Sequence, residues 1–259
     1  MLCYVQFVKY SWLGLSDYNS IFELQKQSLH WSQDKEEVWG LEHPHVISLG
    51  KRSKIENELK SSAYQRQFHS PLQSSIDSQS LSLSQAQLLP LPQPSHLSKS
   101  MQPQMPPQMS PQMSPQIPVV KSDRGGLATL HSPGQLIIYP LISIDKRGWG
   151  PKNYVCQLLK ITEGCLLKLG LHVQCDEDSS GLYINQKKIC FIGLRVSDGR
   201  VYHGLSLNVS NDLSLFEDIS ACGWHGRPLT SLKEQGITTL STKELFSLWQ
   251  HYAMEQKCF

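Results

Sequence analysis

Two cysteines and one lysine supply the reactive groups from which a function can be argued. Cys222 lies in the stretch Ile-Ser-Ala-Cys-Gly-Trp-His-Gly, and Cys190 lies in an apolar run beside Phe191 and Ile192. A free thiol has a pKa of about 8.5, so a nearby cation is needed to populate the nucleophilic thiolate at neutral pH. Lys188 can be that cation, and its spacing alone pairs it with Cys190 as well as with Cys222.

The predicted strand around Lys188 gives the two thiols different settings. Strict alternation predicts that Lys188, Cys190 and Ile192 share one face of the strand. A core thiol is the favoured interpretation of Cys190, because its neighbours are apolar. Cys222 is set among glycines and polar residues, where a loop is expected to be exposed. His203, in Val-Tyr-His-Gly, has the spacing of a buried structural histidine.

A glycine-containing stretch at 124–140 is the other candidate for a binding site. Gly125 and Gly126 lack side chains, so a ligand can approach the backbone closely. An arginine before them and His131 after them bracket this bare backbone with polar groups. Residues 136–139 are a short apolar run that predicts a buried strand. A surface loop that leads into a core strand explains the same pattern equally well.

The composition limits the classes of function. The 259 residues carry a formal net charge of +2, which does not favour nucleic-acid binding. No apolar run is long enough to predict a membrane span, and the N-terminus lacks the features of a secretory signal. Seven scattered cysteines favour reduced thiols in the cytoplasm over a disulfide framework. The sequence contains no phosphate-binding loop, nucleophile elbow or structural zinc motif.

The periodicity predicts an α+β fold. Predicted helices follow an N-cap signal at 16–17, a proline at 151 and a capping box at 241–244, and a glycine at 170 ends the second helix. Predicted strands cover 2–10, two pieces of 37–49, 136–139, 171–175 and a meander over 181–209. Because strands and helices do not alternate regularly, we expect a single domain with a mixed β-sheet flanked by helices.

Residues 61–116 differ in composition from the rest of the chain. Gln, Ser, Pro and Met dominate, and a four-residue repeat ends at Ile117. Proline at this spacing excludes a helix or a paired strand, and the segment has too little apolar surface to offset the entropy of ordering it. We expect a disordered insertion into one catalytic domain formed by 1–60 and 117–259. Such a long loop is tolerable, since each doubling of length costs about 0.6 kcal/mol. A docking tail is the alternative.

Several ordered motifs resemble those of the lipoyl(octanoyl) transferases. They are Glu-His-Pro…Leu-Gly-Lys-Arg, Ser-Asp-Arg-Gly-Gly-x-x-Thr-x-His-x-Pro-Gly-Gln-x-x-x-Tyr-Pro, Lys-Ile-x-x-x-Gly-x-Arg-Val, Tyr-His-Gly-Leu-x-Leu-Asn-Val and Cys-Gly, within 1–57 and 117–240. The resemblance implies the fold shared with biotin and lipoate protein ligases. It also implies transfer of an octanoyl group from octanoyl-acyl carrier protein to a lysine amine of a lipoyl domain. An acyl thioester already carries the free energy of amide formation, so no cofactor or nucleotide is expected.

The resemblance also implies roles for individual residues. Cys222 is implied as the nucleophile that forms an acyl thioester, and Lys188 as the group that lowers the pKa of its thiol. The implied substrate-binding residues are Arg124, Gly125, Gly126, Leu127, Ala128, Thr129, Leu130, His131, Phe191, Ile192, Gly193, Gly204, Leu205 and Ser206.

The same resemblance implies the partners. They are acyl carrier protein, the lipoyl domains of 2-oxoacid dehydrogenase acyltransferase subunits, and the glycine cleavage H protein. We expect a cytoplasmic monomer with no metal, nucleic-acid or membrane partner. The alternatives are an ATP-dependent lipoate or biotin protein ligase and a non-catalytic lipoyl-domain binder.

Four positions depart from the pattern of the family. Leu130 replaces the usual aromatic, Ser132 the usual glycine, Cys190 an alanine and Ala221 a proline. None of these changes removes a catalytic group. Leu130 is expected to affect the fit of the acyl chain, and Ala221 the rigidity of the loop. The length of the acyl substrate is therefore less well defined than the type of reaction.

Overall fold

The computed structural model of the chain describes residues 8–32, 34–54, 58–59, 117–176, 179–219 and 228–259. The predicted insertion at 61–116 lies outside the described residues. So do Ala221 and the candidate nucleophile Cys222.

Within the described ranges, the strands form two sheets. A seven-stranded sheet has the order β1-β2-β6-β10-β9-β8-β7, and a three-stranded sheet has the order β4-β3-β5. Strands β1 and β2 pair in parallel, as do β3 and β4, and the remaining pairs are antiparallel. The strands are β1 (Lys9–Leu15), β2 (Glu37–Glu42), β3 (Val46–Leu49), β4 (Val119–Lys121), β5 (Thr129–His131), β6 (Gln135–Leu141), β7 (Gln174–Asp176), β8 (Ser179–Ile184), β9 (Lys187–Ser197) and β10 (Arg200–Asn208).

Three α-helices accompany the sheets in the described part of the chain, at α1 (Tyr18–Ser28), α2 (Pro151–Lys168) and α3 (Thr242–Glu255). The side chain of Asp17 caps α1 by accepting a hydrogen bond from the backbone of Ser20, and a complete capping box starts α3. A proline occupies the first turn of α2, and Gly170 just beyond its end has a φ of +78°. The three predicted helix starts and the glycine stop are confirmed.

Apolar side chains cover both faces of the larger sheet. On one face, α2 and α3 bury a large cluster that includes Leu158 and Trp249. On the other face, Tyr18 and Phe22 of α1 pack on a cluster around Tyr139. A third cluster surrounds the three-stranded sheet. The expected mixed sheet flanked by helices is therefore confirmed.

Some predicted strand bounds are wrong. The first described strand, β1, covers Lys9–Leu15 and overlaps the predicted 2–10 only at its end, while 2–7 lie outside the described residues. Strand β1 is a half-exposed edge strand, so pairing with β2 rather than apolar alternation sets its bounds. Strand β7 covers Gln174–Asp176 and shares only two residues with the strand predicted at 171–175. The three-residue β5 is too short to show a periodicity.

A buried hydrogen bond between two helices offers a test of this packing. The indole Nε1 of Trp249 donates to Thr162 Oγ1 at 3.0 Å. Thr162→Val keeps the shape but leaves the indole N–H unpaired, which we expect to lower the free energy of unfolding by about 1–3 kcal/mol. Lys160→Ala, on the exposed face of the same helix, should change it by less than about 0.5 kcal/mol. Urea denaturation measures both, and equal effects of the two variants would contradict the assigned role of this bond.

Candidate active site

A small cavity lies where α1 and the two sheets meet. Its volume of about 30 Å³ has room for about two water molecules. Its lining comprises Tyr18, Arg124, Thr129, His131, Tyr139, Phe191, Ile192, Gly193, His203, Gly204, Leu205 and Ser206. Three parts of the chain that are distant in sequence therefore contribute to one site.

Most of the predicted substrate-binding residues contribute to this lining. From the first motif come Arg124, Thr129 and His131, and the complete sets 191–193 and 204–206 come from β9 and β10. Ala128 and Leu130 do not line the cavity, because they point into the cluster around the three-stranded sheet.

The other three predicted residues of the first motif, Gly125, Gly126 and Leu127, do not line the cavity. The Gly125 N–H donates to the carbonyl of Leu194 at 2.9 Å, and the carbonyl of Gly126 accepts from the Arg52 N–H at 3.2 Å. Leu127 is partly buried. The first bond ties the stretch that carries Arg124 to β9, and the second ties it to the residues that follow β3.

Three lining residues were absent from the predicted set. Tyr18 has the spacing of a core residue in α1, so the sequence carries no signal that distinguishes it. Tyr139 belongs to the predicted buried strand, where its position alone indicates a core residue. His203 is buried as predicted, but it also faces the cavity.

An extra residue in β9 changes the predicted position of Lys188. Leu182 pairs with Cys190, but the next residue, Tyr183, pairs with Lys188, so Ile189 has no partner on β8. Such a β-bulge interrupts the alternation of side chains. The prediction that Lys188 and Cys190 share one face is therefore wrong.

The bulge places the Lys188 ammonium beside the cavity. Nζ lies 4.8 Å from the centroid of the Phe191 ring and 5.5 Å from that of Tyr183. A Cβ at Gly181 would come within 2.5 Å of Lys188 Cε, so the glycine leaves the space that the lysine side chain occupies. The lysine is only 4% exposed, and cation–π contact contributes to holding it there.

Cys190 lies on the opposite side of the sheet from the ammonium. It is fully buried in the cluster under α2 and α3. Burial raises the pKa of its thiol to about 12, and the charge of Lys188 only partly opposes this. The core-thiol interpretation of Cys190 is confirmed.

The described ends of the segment that contains Cys222 lie beside Lys188 and Phe191. Before the segment, Ile219 belongs to the same apolar cluster as Phe191. After it, the carbonyl of Pro228 accepts from the Lys188 N–H, and the Thr230 N–H donates to the Lys188 carbonyl, both at 3.0 Å. Residues 220–227 lie outside the described part of the chain.

Arg124 spans from the three-stranded sheet to the cavity. Its guanidinium donates to Ser48 O at 2.6 Å and to Ser48 Oγ at 3.0 Å from Nη2, and Nη1 donates to the Gly125 carbonyl at 3.2 Å. Its Cδ lies 3.1 Å from the position that a Cβ on Gly193 would take. The bare backbone of Gly193 therefore lets the arginine side chain lie directly on β9.

Three buried histidines surround Tyr139. His43 Nδ1 lies 2.7 Å from Ser16 O and its Nε2 lies 3.0 Å from Tyr139 Oη. Burial lowers the pKa of His43 to about 4, and burial also lowers the pKa of His131 and His203. All three imidazoles are therefore neutral at pH 7.

A carboxylate supports His203. Its Nε2 lies 2.9 Å from Asp123 Oδ1, and Tyr202 donates to the other carboxylate oxygen. Burial alone would raise the pKa of Asp123, but the hydrogen bonds from His203 and Tyr202 outweigh burial and lower it. His203 has a φ of +58°, a strained value for a non-glycine residue, and its backbone N–H donates to Gln25 Oε1 at 2.6 Å.

Two buried hydroxyls of the cavity lining have no hydrogen-bond partner among the described residues. Tyr18 Oη and Thr129 Oγ1 are buried and make no hydrogen bond to any described residue. An unpaired buried hydroxyl costs about 1–3 kcal/mol. The cavity therefore suits a molecule that combines apolar surface with polar atoms.

The sequence matches a known catalytic domain over all the residues that line this cavity except Tyr18. Residues 108–251 match the family model of the lipoyl protein ligase A/B catalytic domain. The chain belongs to this family.

Relatives within the family are named octanoyltransferase. One from Neisseria gonorrhoeae is 41% identical over 118 residues, which are 46% of this chain and 57% of that protein. One from Erwinia tasmaniensis is 36% identical over 160 residues, which are 61% of this chain and 71% of that protein. The chain thus spans little more than half the length of the Neisseria relative. The resemblance to the lipoyl(octanoyl) transferases is confirmed at the level of the family.

Solved structures confirm the fold. A lipoate-protein ligase A bound with ATP superposes with a TM-score of 0.64 at 13% identity and covers 96% of this chain and 85% of its own. A biotin protein ligase from Aquifex aeolicus, in complex with biotin and ATP, has a TM-score of 0.50 at 11% identity and covers 96% of this chain and 70% of its own. At such low identity the likeness extends to the fold alone.

No described helix is long and apolar enough to cross a membrane. No cluster of three or more histidine, cysteine, aspartate or glutamate side chains in the described ranges is arranged to hold a metal ion.

The depressed pKa of His43 predicts acid sensitivity. Above pH 6.5 the His43 ring is neutral in both the folded and the unfolded protein, so it adds no pH dependence to the free energy of unfolding. As the pH falls from about 6.5 to about 4, the unfolded chain binds a proton that the folded protein does not, and stability is lost over that window. His43→Asn should therefore reduce the difference in unfolding free energy between pH 7.5 and pH 5, measured in urea. His45→Asn, at an exposed position two residues away, should leave that difference unchanged, and an unchanged difference in both variants would contradict the assignment.

Proposed function

We propose that the protein is an acyltransferase that moves an octanoyl group from octanoyl-acyl carrier protein to the lysine amine of lipoyl domains. The acceptors would be the lipoyl domains of 2-oxoacid dehydrogenase acyltransferase subunits and the glycine cleavage H protein. The observation that carries the proposal is the position of Lys188 beside the cavity, with its backbone bonded to Pro228 and Thr230, just after the Cys222 segment. The octanoyltransferase names of the relatives support the choice of acyl group.

The reaction would proceed in two acyl-transfer steps. In the first, the Cys222 thiolate attacks the thioester carbonyl, the carrier thiolate leaves, and the octanoyl group is bound to Cys222 Sγ. In the second, the lysine amine attacks the new thioester, the bond to Sγ breaks, and an amide forms. The amine proton passes to a base in the site, and neutral Lys188 is one such base.

The connection of the chain is compatible with a Cys222–Lys188 pair. Cys222 follows Ile219 by three residues, and three residues span at most about 11 Å. Ile219 packs in the cluster of Phe191, whose ring the Lys188 ammonium contacts. An ammonium near a thiol lowers its pKa by one unit or more, which raises the thiolate fraction about tenfold at neutral pH.

The cavity provides both apolar and polar surface for an acyl thioester. Ile192, Leu205 and Phe191 contribute apolar walls, and burial of the chain supplies about 0.8 kcal/mol per methylene. The cavity is smaller than an octanoyl chain, so we expect side chains such as Phe191 to move on acylation. Leu130 does not line the cavity but belongs to the same buried cluster as Phe191, so its departure from the family pattern would affect chain fit through the packing of that cluster.

The runner-up is an ATP-dependent ligase, which the fold also supports. The sequence lacks a recognisable adenylate-binding loop, and a thioester donor needs no ATP. Transfer from octanoyl-acyl carrier protein in the absence of ATP separates the two, and binding of a lipoyl domain without any transfer would favour a non-catalytic binder.

The nucleophile is tested by intact-protein mass after mixing with octanoyl-acyl carrier protein. The wild type and Cys190→Ala should both gain one octanoyl group, because Cys190 is buried on the far side of the sheet. Cys222→Ser should gain none, and an adduct on that variant would end the assignment.

The role of Lys188 is tested by the pH dependence of acylation. Lys188→Met removes the cation, so we expect acylation at least tenfold slower at pH 7 that recovers as the pH approaches about 8.5. Lys187→Met, at the exposed neighbouring position, is the matched control and should acylate at the wild-type rate. A rate deficit of Lys188→Met that is the same at every pH would contradict the proposed effect on the thiol.

A further inference from the structure

A continuous row of buried hydrogen bonds connects the cavity to Lys188. His131 Nδ1 lies 2.8 Å from Gln135 Oε1, and Gln135 Nε2 lies 2.9 Å from Asn208 Oδ1. Asn208 Nδ2 then lies 3.0 Å from the carbonyl of Thr230, whose N–H donates to the carbonyl of Lys188 at 3.0 Å. Four side-chain and backbone steps therefore link a cavity wall to the lysine strand.

The direction of every bond in this row follows from one group. The Thr230 carbonyl can only accept, so Asn208 must present its amide nitrogen there and its oxygen to Gln135. Gln135 must then present its own nitrogen to Asn208 and its oxygen to the imidazole. The Gln135 amide oxygen can only accept, so the proton of neutral His131 is on Nδ1.

Burial makes this row cooperative. Gln135, Asn208 and Thr230 are each 0% exposed, so water cannot replace a lost partner. A break at any step leaves a buried polar group unpaired, which favours the complete arrangement over a partial one. Asn211 Nδ2 adds a second donor to Asn208 Oδ1 at 3.2 Å and reinforces its orientation.

The consequence for His131 is a fixed acceptor at the cavity. With Nδ1 protonated and the ring neutral, Nε2 carries a lone pair for which the described residues supply no hydrogen-bond donor, and His131 lines the cavity. His43 differs, because Ser16 O and Tyr139 Oη occupy both of its nitrogens.

We propose that Gln135 and Asn208 are positioning residues that present His131 Nε2 as the acceptor of a hydrogen bond from the incoming lysine amine. The inference rests on the proposed acyl transfer. Of the two reacting partners, only the amine has an N–H to donate, since the thioester has no polar hydrogen at its reacting carbon. The same row holds Thr230 against Lys188, so the amine acceptor and the lysine strand are oriented together.

The first experiment measures the tautomer directly. Nitrogen-15 NMR of histidine-labelled protein, with His131 assigned by its loss in His131→Asn, should show protonated Nδ1 and unprotonated Nε2. In Gln135→Leu the preference should be lost. A wild-type His131 protonated on Nε2 would overturn the proposal, and this readout needs no acyl transfer. It therefore separates failure of the positioning role of Gln135 and Asn208 from failure of the proposed function.

The second experiment measures the two half-reactions against pH. Gln135→Glu places a carboxylate beside Nδ1–H, which favours the imidazolium and so protonates Nε2. Transfer from the acyl-enzyme to a lipoyl domain should be about tenfold slower than wild type at pH 7 and should recover at higher pH. Acylation by octanoyl-acyl carrier protein should change less than twofold.

A matched control lies next to the row. Gln235 Nε2 donates to Thr230 Oγ1 at 2.9 Å but belongs to none of the steps above. Gln235→Leu should keep the wild-type rates and pH profile. A Gln135→Glu profile that coincides with wild type, or an equal loss in Gln235→Leu, would overturn the proposal. Should Gln135→Glu fail to fold, the tautomer of the wild-type protein decides alone.

Discussion

One unpaired residue in a strand determines which side of the large sheet carries the positive charge. Ile189 has no partner on β8, and the resulting shift moves Lys188 from the face under α2 and α3 to the face of the cavity. Gly181 supplies the room for its side chain, and Phe191 the surface on which the ammonium lies. Without the bulge, the lysine would enter an apolar cluster where an unpaired charge is strongly disfavoured.

The cavity wall depends on groups that are buried in one protonation state. Three imidazoles are neutral because burial penalises their charged forms, and each is oriented by a neighbouring acceptor. The buried Arg124 cation is satisfied instead by Ser48 and the Gly125 carbonyl. The second step of the proposed acyl transfer moves a proton, and a neutral imidazole can accept a hydrogen bond or a proton where an imidazolium cannot.

Local signals in the sequence were the most informative. Asp17 and Ser241 cap their helices through bonds to residues three positions away, and Gly170 ends a helix through its own backbone angle. These features could therefore be predicted from the local sequence. The family motifs indicated most of the cavity lining. The bulge at Ile189 was not predictable, because an extra residue in a strand leaves the apolar run unchanged. Tyr18 was missed for a related reason: a helix residue that faces a cavity has the same spacing as one that faces a core.

The parallel pairing of β3 with β4 sets a lower limit on the length of chain that joins them. Strands that run in the same direction need a crossover of about a dozen residues or more, whereas a hairpin needs only two. Removal of 61–116 would leave 50–60 and 117–118, about thirteen residues, which is close to that minimum. A shorter connection would pull β3 away from β4 and displace Ser48, the anchor of Arg124. The position of Arg124 at the cavity therefore depends on how many residues join β3 to β4, as well as on its own hydrogen bonds to Ser48.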